Sequence, residues 1–544
     1  MKIFSGPSRQ RGAIAIMTAA FMMLALICLV LVVDTGRLYF EQRRLQRIAD
    51  SSALDAATEG GLCSLDGGPS LTALVAASAT RNGFAGDVSA SPNLVRGGYL
   101  ETVDGIRVFT ADASRPEAVQ VELGKDVPAS LIAGGLFGNI IELRAQATAQ
   151  RVPIVTFSAG TALLRIDSSK SALLNPLLNG LLGSHLNLDA VSYQGIVDAD
   201  VSLLDFMQSA GLIGTRITAG AVEQALDTSI SLASFSTAML NILDQKQVAA
   251  VGLLNSQLVG IKSANIKLAD ILALDSMPGL TKEALGARVN ALELLLAAAM
   301  VANKNSAVDL GLGVAGVSAK LTVIEPPKIA IGLPGMESGQ WRTKAKTAQI
   351  RLLVAATPSL LGLAAGDIGL TVNAAQGEAW FEQARCRTLA TGSTDIDLAG
   401  QTGLASVSLT KSTGSGNAEV KVSVLGIPLV GAELGLSTTV GASAIRDLNY
   451  EIVNKREDLP EKKTIVSGNG IATSINNLSV KVTTPILLDL SLVTNAVRNI
   501  VVGGVVNDLV NPVVVPLLGL IGVQPGVMDV SLIDIREAPA VLAR

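Results

Sequence analysis

The feature that most constrains this chain is an uncharged apolar run from Ala13 to Val33, broken only by Thr18 and followed at once by Asp34-Thr35-Gly36-Arg37. Its twenty-one residues, at about 1.5 Å each, make roughly 31 Å of helix, the thickness of a bilayer's hydrocarbon core. Lipid offers no partner for backbone amides and carbonyls, so such a run must form a helix. A cleaved secretory signal has an apolar core of about 7–15 residues ending in a small-x-small site. This run is longer and Val32-Val33-Asp34-Thr35 offers no such site, so it reads as a retained anchor. Charge does not orient it: Lys2, Arg9 and Arg11 precede the run, and Arg37, Arg43, Arg44 and Arg47 follow it.

The helical signal continues past the apolar run. Leu38, Leu45, Ala49, Ala53 and Ala56 recur at helical spacing, and Glu41, Arg43, Arg44, Arg47 and Asp50 fall largely between them. From Ala13 to Ala57 one helix would run about 67 Å, half in lipid and half as an amphipathic stalk. Gly36 weakens it by about 1 kcal/mol and marks a candidate joint at the interface. Tyr39 and Phe40 suit an interfacial aromatic position. The signal ends near Gly60-Gly61.

Arg11-Gly12-Ala13-Ile14-Ala15-Ile16, the apolar run, Val33-Asp34-Thr35-Gly36-Arg37-Leu38-Tyr39, and Leu45-Gln46-Arg47-Ile48-Ala49-Asp50-Ser51-Ser52-Ala53 together resemble the N-terminal segment of TadG-like proteins of the Flp (Tad) pilus-assembly system. The resemblance is close over about fifty residues, with weaker echoes at Ala118–Val121 and Leu173–Gly183. It implies a bacterial inner-membrane protein with a single span, its N-terminus in the cytoplasm and its bulk in the periplasm. Other pilus-assembly proteins are the implied partners. The basic leader ending at Gly12 is also similar to that of a type IV prepilin. Such pilins carry a Glu at the fifth position after the cleavage site; here that position is Met17, which argues against a polymerising major pilin. Some TadG-like proteins carry a von Willebrand factor A domain with a metal-binding Asp-x-Ser-x-Ser. Asp227-Thr228-Ser229-Ile230-Ser231 fits the letters, but Ala221–Leu226 before it reads as helix where that loop needs a buried strand.

Chemistry is sparse. The only histidine is His185, in a turn-like Gly183-Ser184-His185, and with no clustered cysteines an ordinary zinc site cannot be assembled. Gly311-Leu312-Gly313-Val314-Ala315-Gly316 has dinucleotide-loop spacing, yet Ala319–Val323 after it reads as strand where helix is required. The formal charge of −4 gives no electrostatic reason to expect nucleic acid. No catalytic residue, metal or cofactor is assigned, and the chain reads as a non-enzyme.

Beyond the stalk the class is α+β. Ile141 to Ala149 alternates with Glu142 to Gln150, and Val119, Val121 and Leu123 alternate likewise, so the region from Cys63 to Arg151 reads as a small sheet packed on the stalk. Further strands are expected at 350–354, 407–409, 420–424 and 478–482, with a turn at Gly414–Asn417. Leu173–Leu182 reads as a helix starting near Asn175-Pro176, and a faint echo links it to Asn511–Gly519. Val289–Val301 and Ile500–Val523 read as buried or interfacial helices, the first too short to span and carrying Glu293, the second broken by Pro512 and Pro516. The expected organisation is a tail (1–12), a transmembrane helix (13–33), a stalk (34–60), a small sheet domain (61–155) and an α+β remainder (156–544) with room for two subdomains.

Apolar residues make up 49% of the chain but aromatics only 3%, so Ala, Leu and Val must build the core. The mean hydropathy of +0.47 points either to a large core or to apolar surface kept for a partner or a lipid ligand. Cys28 lies inside the anchor; Cys63 and Cys386 are either a disulfide or two unrelated thiols, since pairing needs Cα atoms within about 7 Å. The functional reading is a membrane-anchored accessory component of Tad/Flp pilus assembly working through protein contacts. Its anchor and stalk residues are Asp34, Gly36, Arg37, Leu38, Leu45, Ala49 and Ala53. The alternatives are an anchored module binding lipid or another apolar ligand, and a processed pilin-like subunit.

Overall fold

A computed structural model describes residues 11–60, 70–103, 106–112, 117–130, 140–160, 171–185, 187, 194–196, 198–214, 219–246, 248, 261, 263–274, 284–337, 339–361, 363–388, 393–424, 427–452, 459–467, 478–483, 490–538 and 540–543. They divide into two compact units: Met1–Val152 with Arg385–Thr394 and Pro539–Arg544, and Pro153–Ala384 with Asp395–Ala538. The Cys63–Cys386 pairing lies outside the described residues.

In the first unit, helix α1 (Arg11–Gly60) runs unbroken for 50 residues. Gly36 is therefore not a joint. One glycine costs about 1 kcal/mol, too little to interrupt a helix whose hydrogen bonds continue on both sides. From Ile14 to Val33 nearly every side chain is exposed, and the hydroxyls of Thr18 and Thr35 donate back to the carbonyls of Ile14 and Leu31. Beyond Val33 one stripe turns inward: Leu45, Ile48, Ala49, Ser52, Ala53, Ala56 and Ala57 are all buried. The four alanines bring the helix backbone close to what it packs on. Leu38, on the same stripe, is half-buried.

Helix α2 (Leu71–Arg81) follows, capped by Ser70, whose side chain accepts from the amide of Ala73. Its Leu74, Val75 and Ala79 join the α1 stripe in one core, and its Ser78 hydroxyl donates to Asp55 on α1 at 2.6 Å. The region read as sheet alone thus holds a helix as well. Strands β1 (Leu94–Val103), β2 (Ile106–Ala111), β3 (Ala118–Pro128) and β4 (Ile140–Gln150) form an antiparallel sheet in the order β2-β1-β3-β4, and Val541–Leu542 adds a fifth strand beside β4. β3 and β4 pair along their whole length, from Ala118↔Gln150 to Pro128↔Ile140. Val119, Val121 and Leu123 of β3 and Ala145, Ala147 and Ala149 of β4 face the α1 stripe, as their alternation dictates.

The outer edge of β4 is closed residue by residue. Gln42 donates to the carbonyl of Arg144 at 2.7 Å, Gln46 to that of Gln146 at 2.8 Å, and the amide of Ala543 to that of Thr148 at 2.8 Å. The match is geometric. Four residues of helix rise about 6 Å and two residues of strand about 6.7 Å, so glutamines four apart meet alternate carbonyls. An open edge invites pairing with another chain; here two glutamine side chains and the strand Val541–Leu542 occupy it.

The second unit contains an eight-stranded and a five-stranded sheet. The larger one contains strands 307–309, 317–325, 349–356, 365–374, 405–410, 427–440, 418–424 and 479–482, and includes the strands read from alternation at 350–354, 407–409, 420–424 and 478–482. Gly414 and Gly416, both with positive φ, form the turn between 405–410 and 418–424. In the five-stranded sheet the order is 461–466, 527–537, β5 (Pro153–Gly160), 329–332 and 272–274. The hydroxyl of fully buried Tyr450 donates to the carbonyl of Val530 at 2.7 Å, tying the strand Arg446–Ile452 to this sheet.

Helix Ser171–Leu182 begins four residues before Asn175 and carries Pro176 inside it. Ala291–Ala302 is a core helix with nine buried residues. The C-terminal helix is α over Leu490–Gly504, π over Val505–Val514 and α again over Val515–Ile521. Pro512, lacking an amide hydrogen, sits in the π stretch, where the ordinary helical ladder is relaxed. Thr494–Ile521 is long and apolar enough to cross a membrane, yet 39% of its most apolar window is buried. Val497, Val501, Val505 and Leu509 form its inward face.

Removal of residues 541–544 is expected to cost the first unit about 1–2 kcal/mol, from lost edge hydrogen bonds and the packing of Leu542. Hydrogen–deuterium exchange should report faster uptake at residues 147–150 than in the full chain.

Candidate functional site

The first candidate surface is α1 itself. Ile14, Ile16, Met17, Phe21, Met22, Met23, Leu24 and Leu26 are each more than half exposed, and the same holds for Leu29, Leu31 and Val32. Among the described residues this is where exposed large apolar side chains concentrate; those elsewhere are few and scattered. The high mean hydropathy therefore resides in a buried core and in one exposed helix of membrane-spanning length. Cys28 is a free, exposed thiol within that helix.

The residues just past the apolar stretch join helix to sheet. Asp34 is buried, Gly36 faces open space, and Arg37 donates to the carbonyl of Pro128 at the end of β3. Lys125 on β3 pairs with Glu41 at 2.7 Å, and this hydrogen bond holds the Glu41 carboxyl below its usual range. On the opposite helix face, Tyr39 and Phe40 meet edge to face with ring centroids 6.2 Å apart. The Arg43 guanidinium donates to the Tyr39 hydroxyl at 2.9 Å. Of the anchor and stalk residues named from sequence, Leu45, Ala49 and Ala53 lie in the core, and Arg37 ties the helix to the end of β3.

A second candidate is the carboxyl of Glu293. A small cavity of about 50 Å³ is lined by Ser158, Glu293, Ala297, Lys328, Gly522 and Ser531, among others. Glu293 borders it, but one carboxylate oxygen is enclosed and has no hydrogen-bond partner. Burial is the main cause that pushes its carboxyl up to about 7, with Asp200 adding to the effect and a hydrogen bond with Ser158 opposing it. The space suits a water molecule or two, not a substrate.

The position of Glu293 follows from a repeated local design. Three-residue strands at Asp200–Ser202, Ser229–Ser231, Asn265–Lys267 and Arg288–Asn290 each lead directly into helical turns. Each has a buried central residue (Val201, Ile230, Ile266, Val289), and a buried Phe206, Phe235, Ile271 or Leu294 follows in the turn. Ser202, Ser231 and Asn290 cap the first, second and fourth of these helices. The strands pair in twos, 200–202 with 288–290 and 229–231 with 265–267. Asp205 and Glu293 hold the same helix position, exposed in one and enclosed in the other. The design is not evident from residue spacing; its available signal is the recurring polar-apolar-polar triplet, whose last residue is the cap in three of the four units.

The other sequence-level candidates are structural. Gly311, Gly313 and Gly316, all at positive φ, form the hairpin turn between the strands Ala307–Asp309 and Val317–Glu325. Helix Ala219–Asp227 leads into Asp227, whose carboxylate lies 3.8 Å from Lys267. His185 is exposed just past the helix Ser171–Leu182. No group of three or more metal-ligating side chains occurs among the described residues.

Comparison with known families adds to this geometry. Residues 12–59 match a family described as putative Flp pilus-assembly TadE/G-like, and residues 56–149 match one described as putative Tad-like Flp pilus-assembly. The two meet in the last turn of α1 and together cover the membrane helix, the stalk and the sheet through β4. The N-terminal resemblance to TadG-like proteins is thus found by comparison, and the Tad-like match continues it through β4. Residues 170–300, which contain the four strand-to-helix units, match a domain of unknown function, DUF8293. No curated protein and no solved structure matches the chain.

Replacing the enclosed acid tests its environment. A carboxyl raised from 4.5 to about 7 in the fold destabilises the folded state as pH rises through that window, because the unfolded chain ionises first. Glu293→Gln should therefore melt near wild type at pH 5 and be more stable at pH 8, by about 1–3 kcal/mol. Thermal melts at the two pH values check this.

Proposed function

We propose that this protein is a membrane-anchored, non-enzymatic component of Tad/Flp pilus assembly that works through protein contacts. One observation carries the reading. An exposed apolar helix of membrane-spanning length continues without a break into the core of a small sheet domain, and both parts match Tad/Flp pilus-assembly families. A helix that is lipid-facing at one end and core-forming at the other fixes the folded domain at a set height above the bilayer.

In this reading α1 crosses the inner membrane with its N-terminus in the cytoplasm, and both folded units stand in the periplasm. The second unit presents the larger surface to other pilus-assembly proteins. Met17, where a pilin of the type IV kind carries Glu, supports an anchored accessory role over that of a polymerising subunit.

Protease treatment of cells with permeabilised outer membranes tests the arrangement, read by tags at both ends. Loss of the C-terminal tag with a small protected N-terminal fragment is the expected result. Cleavage that begins only once the inner membrane is lysed would place the bulk in the cytoplasm and overturn the proposal. Deletion of the gene should abolish Flp pili in electron micrographs while the pilin itself is still made.

A further inference from the structure

We propose that the paired ends of β3 and β4, at Pro128, Ile140 and Ile141, are a second membrane contact, seated in the interfacial zone beside the point where α1 leaves the lipid. The inference rests on α1 spanning the bilayer, as proposed above, and goes beyond it by placing part of the folded domain in the membrane surface.

The heights follow from hydrogen bonds. Gln42, which holds the carbonyl of Arg144, stands nine residues past Val33, about 13.5 Å further along the helix. β4 runs the same way as α1, since Gln42 meets Arg144 and Gln46 meets Gln146. Ile140 lies four residues before Arg144, about 13 Å back toward the membrane. The two displacements cancel, so Ile140 and its partner Pro128 lie at the level of Val33, where the apolar stretch of α1 ends. Arg37, donating to the carbonyl of Pro128, pins the strand ends at that height.

The side chains there suit lipid. Ile140 is 69% exposed and Ile141 39%, unusual for isoleucines on a strand whose later members, Ala145, Ala147 and Ala149, are buried. On the other side of α1, about 9–10 Å further along the helix than Val33, Tyr39 and Phe40 are 55% and 73% exposed. Ile140 and Ile141 thus lie beside the end of the lipid-facing stretch, and the exposed aromatic pair stands about two turns beyond it on α1. The interfacial layer beyond the hydrocarbon core is about 5–8 Å deep. It tolerates the backbone polar groups of strand ends that the core would reject, and it favours aromatic side chains.

The test uses the full chain in lipid nanodiscs with p-benzoylphenylalanine introduced by amber suppression at one of three sites. These are Leu26 in the anchor, Ile140 at the start of β4, and Arg107 on β2 near the opposite end of the sheet. Ile140 is exposed, so its replacement leaves the core intact. After irradiation, lipid adducts are counted by mass spectrometry. The expected result is adducts at 26 and at 140, the latter about tenfold above position 107, as an interfacial contact requires. Adducts at 26 with only the position-107 background at 140 would overturn the membrane contact while leaving the anchor standing. Absence of adducts at 26 would overturn the anchor reading and this inference together.

Discussion

The first unit depends on one helix meeting two incompatible surroundings in turn. In lipid, α1 must satisfy every backbone group within itself and show apolar side chains on all sides; in water it must hide one stripe and show the rest. Continuity of the backbone ladder across Gly36 makes both possible without a joint. The sheet is then positioned by side chains of the helix: alanines set its distance, while Arg37, Gln42 and Gln46 set its height. A register slip of one residue on β4 would turn Ala145, Ala147 and Ala149 outward and bring Arg144 and Gln146 into the core. Helix and sheet therefore enforce each other's alignment.

Much of this was legible from residue spacing. The apolar run, the stripe of Leu45, Ala49 and Ala53, and the alternation on β3 and β4 all report a face buried along its whole length, the condition under which periodicity is informative. Helix α2 escaped notice because Leu71–Arg81 is rich in small residues and has no strongly polar face. The start of helix Ser171–Leu182 was displaced toward Pro176 because proline is most familiar in a first turn, although this one sits further in. Three-residue strands are too short to show a period of two, so the repeated strand-to-helix units of the second unit stayed hidden. The pairing of Val541 with Gln150 joins positions about 390 residues apart, and nothing local announces it.

Glu293 shows how a repeated design can diverge at one position. The acid at the third residue of a capped helix is ordinary at Asp205, where it faces water. At Glu293 the same position packs beside the strands Pro153–Gly160 and Val527–Glu537, so a residue suited to a helix start becomes a half-buried acid with one oxygen enclosed. From sequence alone it was seen only as an interruption of an apolar segment. Its neighbours in space come from four separate stretches of chain, which is why spacing could not reveal its setting.

The strand contributed by Val541–Leu542 also has a consequence in time. At about 5–20 residues per second, the ribosome needs on the order of 20 to 80 s to make the stretch separating Gln150 from Val541. Throughout that interval the first unit has its helix, its strands β1 to β4 and the glutamines over Arg144 and Gln146, while the last rung at Thr148 stays vacant. The nascent protein thus passes through a stage in which a nearly finished domain shows a short, open strand edge a fixed distance above the bilayer. Whatever meets the chain there during synthesis meets an edge that the mature protein no longer offers.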